Sequence, residues 1–127
     1  MIEMLEPAGM AAPGGHYSHA VVHGGLVYVS GQLPIAAGGP LPADSPLEAQ
    51  ALQVMTNVRI ALEASGSSLE RVLKSTIYVA DIADWPEINR IYAQVFGSHR
   101  PARAVVPVPE LHYGYKLEME VVAAVRA

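Results

Sequence analysis

The sequence predicts an α+β fold, β-β-β-α-β-α-β-β, with two amphipathic helices packed on one face of a sheet. Three observations carry this expectation. Apolar residues recur at helical spacing in two stretches, each opened by a capping residue and closed by glycine. The remaining apolar runs are short, and several alternate with the period of two that a half-buried strand requires. Finally, 51% of the 127 residues are hydrophobic and only 16% are charged. That is enough apolar material for one core and not comfortably for two, so residues 1–127 read as one domain.

A short strand is expected at residues 2–5. Residues 20–23 and 26–30 flank Gly24-Gly25, a two-residue hairpin signal. The stretch from Pro34 to Pro46 reads as loop. The first helix opens at Ser45-Pro46-Leu47-Glu48, where Ser can cap, Pro suits the first helical position and Glu completes a capping box. Leu47, Ala51, Val54, Met55, Val58, Ala61 and Leu62 form its apolar stripe, and Gly66 is the stop. The next strand is expected at residues 72–80, with Leu73, Ser75, Ile77 and Val79 on one side and Lys74, Thr76 and Tyr78 on the other. The second helix opens at Asp84-Trp85-Pro86-Glu87, buries Ile88, Ile91, Tyr92, Val95 and Phe96, and ends at Gly97. Strands at 102–108 and 116–125 complete the order. In the last one Leu117, Met119, Val121, Ala123 and Val125 share one face, and Glu118, Glu120, Val122 and Ala124 the other. That second face is neither fully polar nor fully apolar, which suits a subunit interface containing a polar site.

Composition excludes several function classes. Eight basic against twelve acidic residues give a net charge of −4, and only Lys74 and Lys116 are lysines. There is no global electrostatic case for nucleic acid or anionic lipid. The absence of cysteine removes disulfides, thiol nucleophiles and zinc–thiolate sites, and fits a reducing compartment. The first twelve residues lack the pattern of a secretory signal. Apolar runs such as residues 121–125 fall far short of the roughly 20 residues of a membrane helix. The expectation is a soluble, cytoplasmic protein.

A few residues are candidates for chemistry. Arg103 opens an otherwise apolar strand, and its permanent charge needs an anionic partner. That partner is either a substrate carboxylate held bidentately or a structural Asp or Glu. Glu118 and Glu120, two apart on a strand, point to one face about 7 Å from each other. They suit acid/base work with a raised pKa, or one pairs with a cation while the other reaches solvent. His16, His19 and His23 give H-x2-H-x3-H, but they straddle a loop and a strand, so solvated loop histidines or a site rim are expected before a metal. Tyr17 follows a flexible Gly-Gly-His lead-in, and Tyr113 and Tyr115 flank Gly114. Ser30-Gly31-Gln32 ends a strand where glycine allows close approach of a ligand. No nucleophile elbow, P-loop or dinucleotide fingerprint is present.

Taken together, Gly15-His16-Tyr17-Ser18-His19-Ala20, Val27-Tyr28-Val29-Ser30-Gly31-Gln32-Leu33-Pro34, Pro101-Ala102-Arg103 and Lys116-Leu117-Glu118-Met119-Glu120 resemble the signature stretches of the RidA (YjgF-type) reactive intermediate deaminases. Asn57-Val58 and residues 73–81 add to the likeness, which spans nearly the whole chain in order. The resemblance implies a chorismate-mutase-like fold with a mixed sheet, and a homotrimer with sites between subunits. It also implies hydrolysis of enamines and imines such as 2-aminoacrylate and 2-iminopropanoate to 2-keto acids and ammonia, without metal or organic cofactor. Carried over by position, Arg103 clamps the substrate carboxylate and Glu118 positions water. Tyr17 joins them as a catalytic residue, while Ser30, Gly31, Gln32, Asn89 and Val105 contact substrate. His16 and His19 stand where the family has Pro and Gln, and Val105 stands where close relatives have Cys. The competing expectations are a non-catalytic trimer that binds a small carboxylate or regulates a partner, and a ribonuclease, against which the negative charge argues.

Overall fold

The computed structural model describes residues 1–126. Its strands are β1 (Glu3–Leu5), β2 (Ala20–His23), β3 (Leu26–Gln32), β4 (Ile35–Ala36), β5 (Gly39–Pro40), β6 (Val72–Val79), β7 (Ala102–Pro107) and β8 (Leu117–Ala124). The helices are α1 (Leu47–Ala64) and α2 (Trp85–Phe96). Six strands form one mixed sheet in the order β1-β2-β3-β8-β6-β7, antiparallel except for the parallel pair β6–β7. The α+β order expected from the sequence is present, with one addition. The loop after Pro34 contains a two-stranded ribbon, β4–β5, too short to show as a hydrophobic period.

Both helices pack on one sheet face. Leu117, Met119, Val121 and Ala123 of β8 are buried and meet Val54, Met55, Val58, Ala61 and Leu62 of α1 and Ile88 and Ile91 of α2 in one cluster. Gly24 and Gly25 take φ of 60° and 81°, the left-handed pair that a tight β2–β3 hairpin needs. Among the described residues, no helix is long and apolar enough to cross a membrane.

Three local expectations need correction. In β6, Val72 rather than Leu73 enters the core, because pairing with β8 slips between Val72 and Lys74. Leu73 is left 50% exposed. The bulge breaks the period of two that placed Leu73 beside Ser75. The capping box at Ser45 does not form: Pro46 is the extended residue before α1, and no side chain caps it. Asp84 does not cap α2 either, since it is already helical as the end of a preceding 3-10 turn. Asp81 takes over, accepting from the Ala83 N–H at 2.9 Å.

Gln50 ties the start of α1. Fully buried, it donates to the carbonyls of Ala43 and Ser45, both at 3.0 Å, and accepts from the Lys116 N–H at 3.0 Å. Two turns further on, Asn57 donates to the Leu33 (3.1 Å) and Ile35 (2.9 Å) carbonyls. These amides fix the loop before α1 and the segment before β8. Replacing Gln50 with Ala leaves several backbone groups without partners, at about 1–3 kcal/mol for each one kept from water. Gln50→Ala is therefore expected to lower the melting temperature by roughly 10 °C. Thermal unfolding followed by circular dichroism checks it; a shift under about 2 °C would mean that water replaces the side chain.

Candidate active site

Glu118 and Glu120 stand on the sheet face that the helices leave open. Each is partly exposed, and Glu120 accepts a hydrogen bond from the Tyr78 hydroxyl at 2.7 Å. That bond, first, and burial hold the Tyr78 hydroxyl above its usual pKa. Glu118 receives no side-chain hydrogen bond from the described residues. Burial pushes its carboxyl above the ordinary glutamate range, the neighbouring His112 opposes this, and Glu120 adds to it. Glu118 thus holds a proton to higher pH than a solvated glutamate, the poise of a group that both positions water and donates a proton.

A cavity of about 550 Å³ lies against these carboxylates. Tyr17, Ser30, Gly31, Gln32 and Glu118 line it together, so five of the expected site residues converge. A bulge builds this arrangement. Val29 pairs with Val121 and Gln32 with Met119, so Ser30 and Gly31 together oppose Glu120. The Ser30 hydroxyl donates to the Ser18 carbonyl at 2.6 Å and its N–H to the His19 carbonyl at 2.9 Å, which fastens the bulge to the Tyr17 loop. Gly31 faces the Glu118 carboxylate. A Cβ there would sit 2.8 Å from Glu118 Oε2 and 2.9 Å from its Cδ. Glycine leaves the room in which this carboxylate stands, and its φ is not left-handed.

Arg103, Asn89 and Val105 lie elsewhere. The Arg103 guanidinium sits over the rings of Trp85, at 4.7 Å, and Tyr92, at 4.9 Å, and donates to Asn89 Oδ1 at 2.9 Å. It is exposed, and no described carboxylate lies within ion-pair distance of it; the alternative of a structural Asp or Glu partner is not realised. Two aromatic faces and one amide orient the fork while leaving its charge unneutralised. Val105 packs on the edge of the core. Arg103 pairs with Ser75, whose side chain is buried under the helices, whereas Glu118 pairs with Tyr78 on the open face. The two clusters therefore lie on opposite faces of the sheet with β6 between their strands.

A family model described as Endoribonuclease L-PSP matches residues 9–125, which contain every one of these positions. The chain belongs to this family, the YjgF/RidA family. Its relatives in the family include the yeast protein HMF1, 43% identical over 110 residues that cover 87% of this chain and 84% of HMF1. Another is a goat protein named 2-iminobutanoate/2-iminopropanoate deaminase, 39% identical over 86% of this chain and 80% of that one. The crystal structure of the yeast protein YEO7 superimposes with a TM-score of 0.95 at 38% identity, covering 99% of this chain and 100% of the other.

Two departures from the RidA stretches take shape in the structure. His16 is exposed, as a loop histidine should be, but His19 is buried at 7% exposure. Its Nε2 lies 2.7 Å from the Ala11 carbonyl, and its Nδ1 lies 3.2 Å from the Gln32 amide, so the Nε2–H tautomer satisfies both. His19 joins the Ala11 loop to β3 and also lines the cavity. His23 turns instead toward the Met1 carbonyl at 3.2 Å. Among the described residues, no three His, Cys, Asp or Glu are grouped so as to hold a metal ion. Sequence reasoning missed His112 as a cavity residue and marked Tyr113 only as flanking Gly114, without placing it in a cavity. Gly114 was a signal that the chain turns there, but not of which rings the turn would deliver.

The raised Glu118 pKa carries a stability consequence. Its folded value lies above the unfolded one of about 4.3, so folding favours the protonated form. That contribution is complete below pH 4 and is lost as pH rises through the folded pKa. Glu118→Gln is expected to be at least as stable as wild type near pH 4 and measurably more stable at pH 7. Urea unfolding at both pH values checks this, and an equal difference at both would remove the titration as its cause.

Proposed function

We propose that the protein hydrolyses 2-imino acids to 2-keto acids and ammonia, in sites completed by a neighbouring copy of the chain. The observation that carries this reading is a complementary pair. An oriented Arg103 stands on one sheet face and Glu118 on the other against a cavity, the first without a carboxylate partner and the second without a cation partner among the described residues. The fold of one chain holds them on opposite faces, whereas a homotrimer with sites between subunits would bring them together. Arg103 would hold the substrate carboxylate in a fork. Tyr17, Ser30, Gly31 and Gln32 would enclose the imine, with Asn89 and the Val105 backbone carbonyl on the Arg103 side.

The chemistry asks little more. In R–C(=NH2⁺)–COO⁻ the imine carbon is already electrophilic. Water, oriented by ionised Glu118, adds to that carbon and gives a proton to the carboxylate. Glu118 returns that proton to nitrogen, giving R–C(OH)(NH3⁺)–COO⁻. It then takes the hydroxyl proton as the C–N bond breaks and passes it to the departing ammonia, so that R–CO–COO⁻ and NH4⁺ leave. One water is consumed, no electrons are exchanged, and catalysis is mostly orientation and proton transfer. The name of the goat relative supports the reaction class. The family description names an endoribonuclease, but a net charge of −4 gives a phosphate backbone nothing to bind broadly.

A coupled assay tests the reading. An amino-acid oxidase generates the imine and semicarbazide traps what survives. Wild type is expected to lower the trapped imine, and Arg103→Ala is not. If wild type matches buffer while a keto acid still binds, the protein is a small-carboxylate binder and not a deaminase.

A further inference from the structure

Among the described residues, Tyr113 is the one non-glycine position with a left-handed backbone, φ 63° and ψ 13°. A bulky side chain is uncommon there and points to a role for the ring itself. The residues that follow hold the conformation in place. Gly114 follows at φ 76°, and Tyr115 is 2% exposed with its hydroxyl donating to the Leu41 carbonyl at 2.7 Å. The ring gains little burial in exchange, for Tyr113 remains 66% exposed. It lies 6.1 Å from Tyr115, edge to face, and 5.9 Å from His112. Glycine would suit this backbone better and the core does not use the ring, so neither folding nor packing accounts for a tyrosine.

The cavity does account for it. Tyr113 lines it together with Tyr17, itself 47% exposed, and with Met10, Leu33 and Ile35. A three-carbon imino acid has six heavy atoms and fills on the order of 100 Å³, taking each atom as smaller than a ~30 Å³ water. In one chain, before a neighbouring copy completes the site, the cavity of about 550 Å³ is several times larger, and alongside Glu118, Glu120 and Gln32 its wall includes the apolar and aromatic groups just named. A site for the smallest imines alone has no use for that wall, whereas a benzyl or isobutyl group would bury against it.

We propose that Tyr113 is a specificity-determining residue that makes the site select 2-imino acids with large apolar or aromatic side chains over the three- and four-carbon ones. The substrate class rests on the deaminase reading; the side-chain preference is testable apart from it. The experiment compares imines made in situ by a D-amino-acid oxidase from D-phenylalanine and D-alanine. The kcat/KM ratio of the two is measured for wild type, Tyr113→Phe and Tyr113→Gly. Glycine relieves the backbone while removing the ring, so the fold is kept. The expected wild-type ratio is tenfold or more in favour of the phenylalanine imine, retained in Tyr113→Phe and reduced at least fivefold in Tyr113→Gly. A wild-type ratio near one, or a ratio unchanged in Tyr113→Gly, overturns the inference and leaves the deaminase reading standing. Binding of phenylpyruvate and pyruvate is measured in parallel. Without turnover of either imine, a Tyr113-dependent tenfold preference for phenylpyruvate supports the selectivity and overturns the deaminase reading. Equal binding without turnover overturns both.

Discussion

Arg103→Ala and Glu118→Gln are each expected to be nearly inactive alone, and to recover about a quarter of wild-type activity when mixed subunits assemble in equal amounts. Removing a bidentate carboxylate clamp loses two charge-assisted hydrogen bonds, roughly 4 kcal/mol together, or about three orders of magnitude in kcat/KM. Removing the acid/base group costs a similar 10²–10⁴-fold, as a general order of magnitude. The recovery follows from the faces. Arg103 stands beside α2, and Glu118 stands on the open side of the sheet. A site that uses both takes its arginine from one copy and its glutamate from the next, a head-to-tail arrangement. In a random mixture, half of the sites receive an intact glutamate and half of those an intact arginine, so about one in four is whole. The measurement is imine hydrolysis by the two variants co-refolded at equal concentration. Recovery of no activity, with both variants folded and assembled, would mean that the two residues do not share a site across copies.

Gly31→Ala carries the second large effect. The methyl group would overlap the Glu118 carboxylate, which is the far end of a flexible side chain. The fold therefore accommodates the change by swinging that carboxylate aside. Gly31 has no left-handed φ, so alanine is compatible with its backbone and lowers the entropy of the unfolded chain. Stability is expected to be unchanged or slightly raised. On the proposed mechanism the displaced carboxylate would no longer hold water against the imine carbon, and a misplacement of about 1 Å costs on the order of 10²-fold. Kinetics and thermal unfolding on the same preparation separate the two effects. Full activity in Gly31→Ala would show that the present position of Glu118 is not the working one.

Much of the fold was legible because single elements carried their own signals. The β8 alternation, the α1 and α2 stripes and the Gly24-Gly25 turn all formed where residue spacing placed them. What escaped depends on partners distant in sequence. Leu73 left the core because β6 slips against β8, and a slip belongs to the pair of strands rather than to either. Ser45 lost its capping role because Pro46 is the residue at which the helix begins, and the segment before it is held instead by Gln50, which also takes the Lys116 N–H, 66 residues away. His19 is buried because the Ala11 loop and Gln32 close over it.

The candidate site divides along the same line. Residue types marked Arg103, Glu118 and Gly31 as worth attention, and the cavity gathers the Glu118 half. That the Arg103 half lies behind the sheet was not legible, because the answer requires strand order and register together. The part Tyr113 plays was hidden for a related reason: Gly114 between two tyrosines signals a turn, but the left-handed backbone at Tyr113 depends on how that turn and the Tyr115 anchor settle against the Leu41 carbonyl.

The aromatic cradle of Arg103 has an optical consequence. Trp85 is the single tryptophan of the chain, so the indole emission of the whole molecule arises at the ring beneath that guanidinium. Any anion that settles on Arg103 alters the electric field at this fluorophore. The molecule thus contains its own label at the place where a substrate carboxylate would arrive, and the event can be followed in unmodified protein.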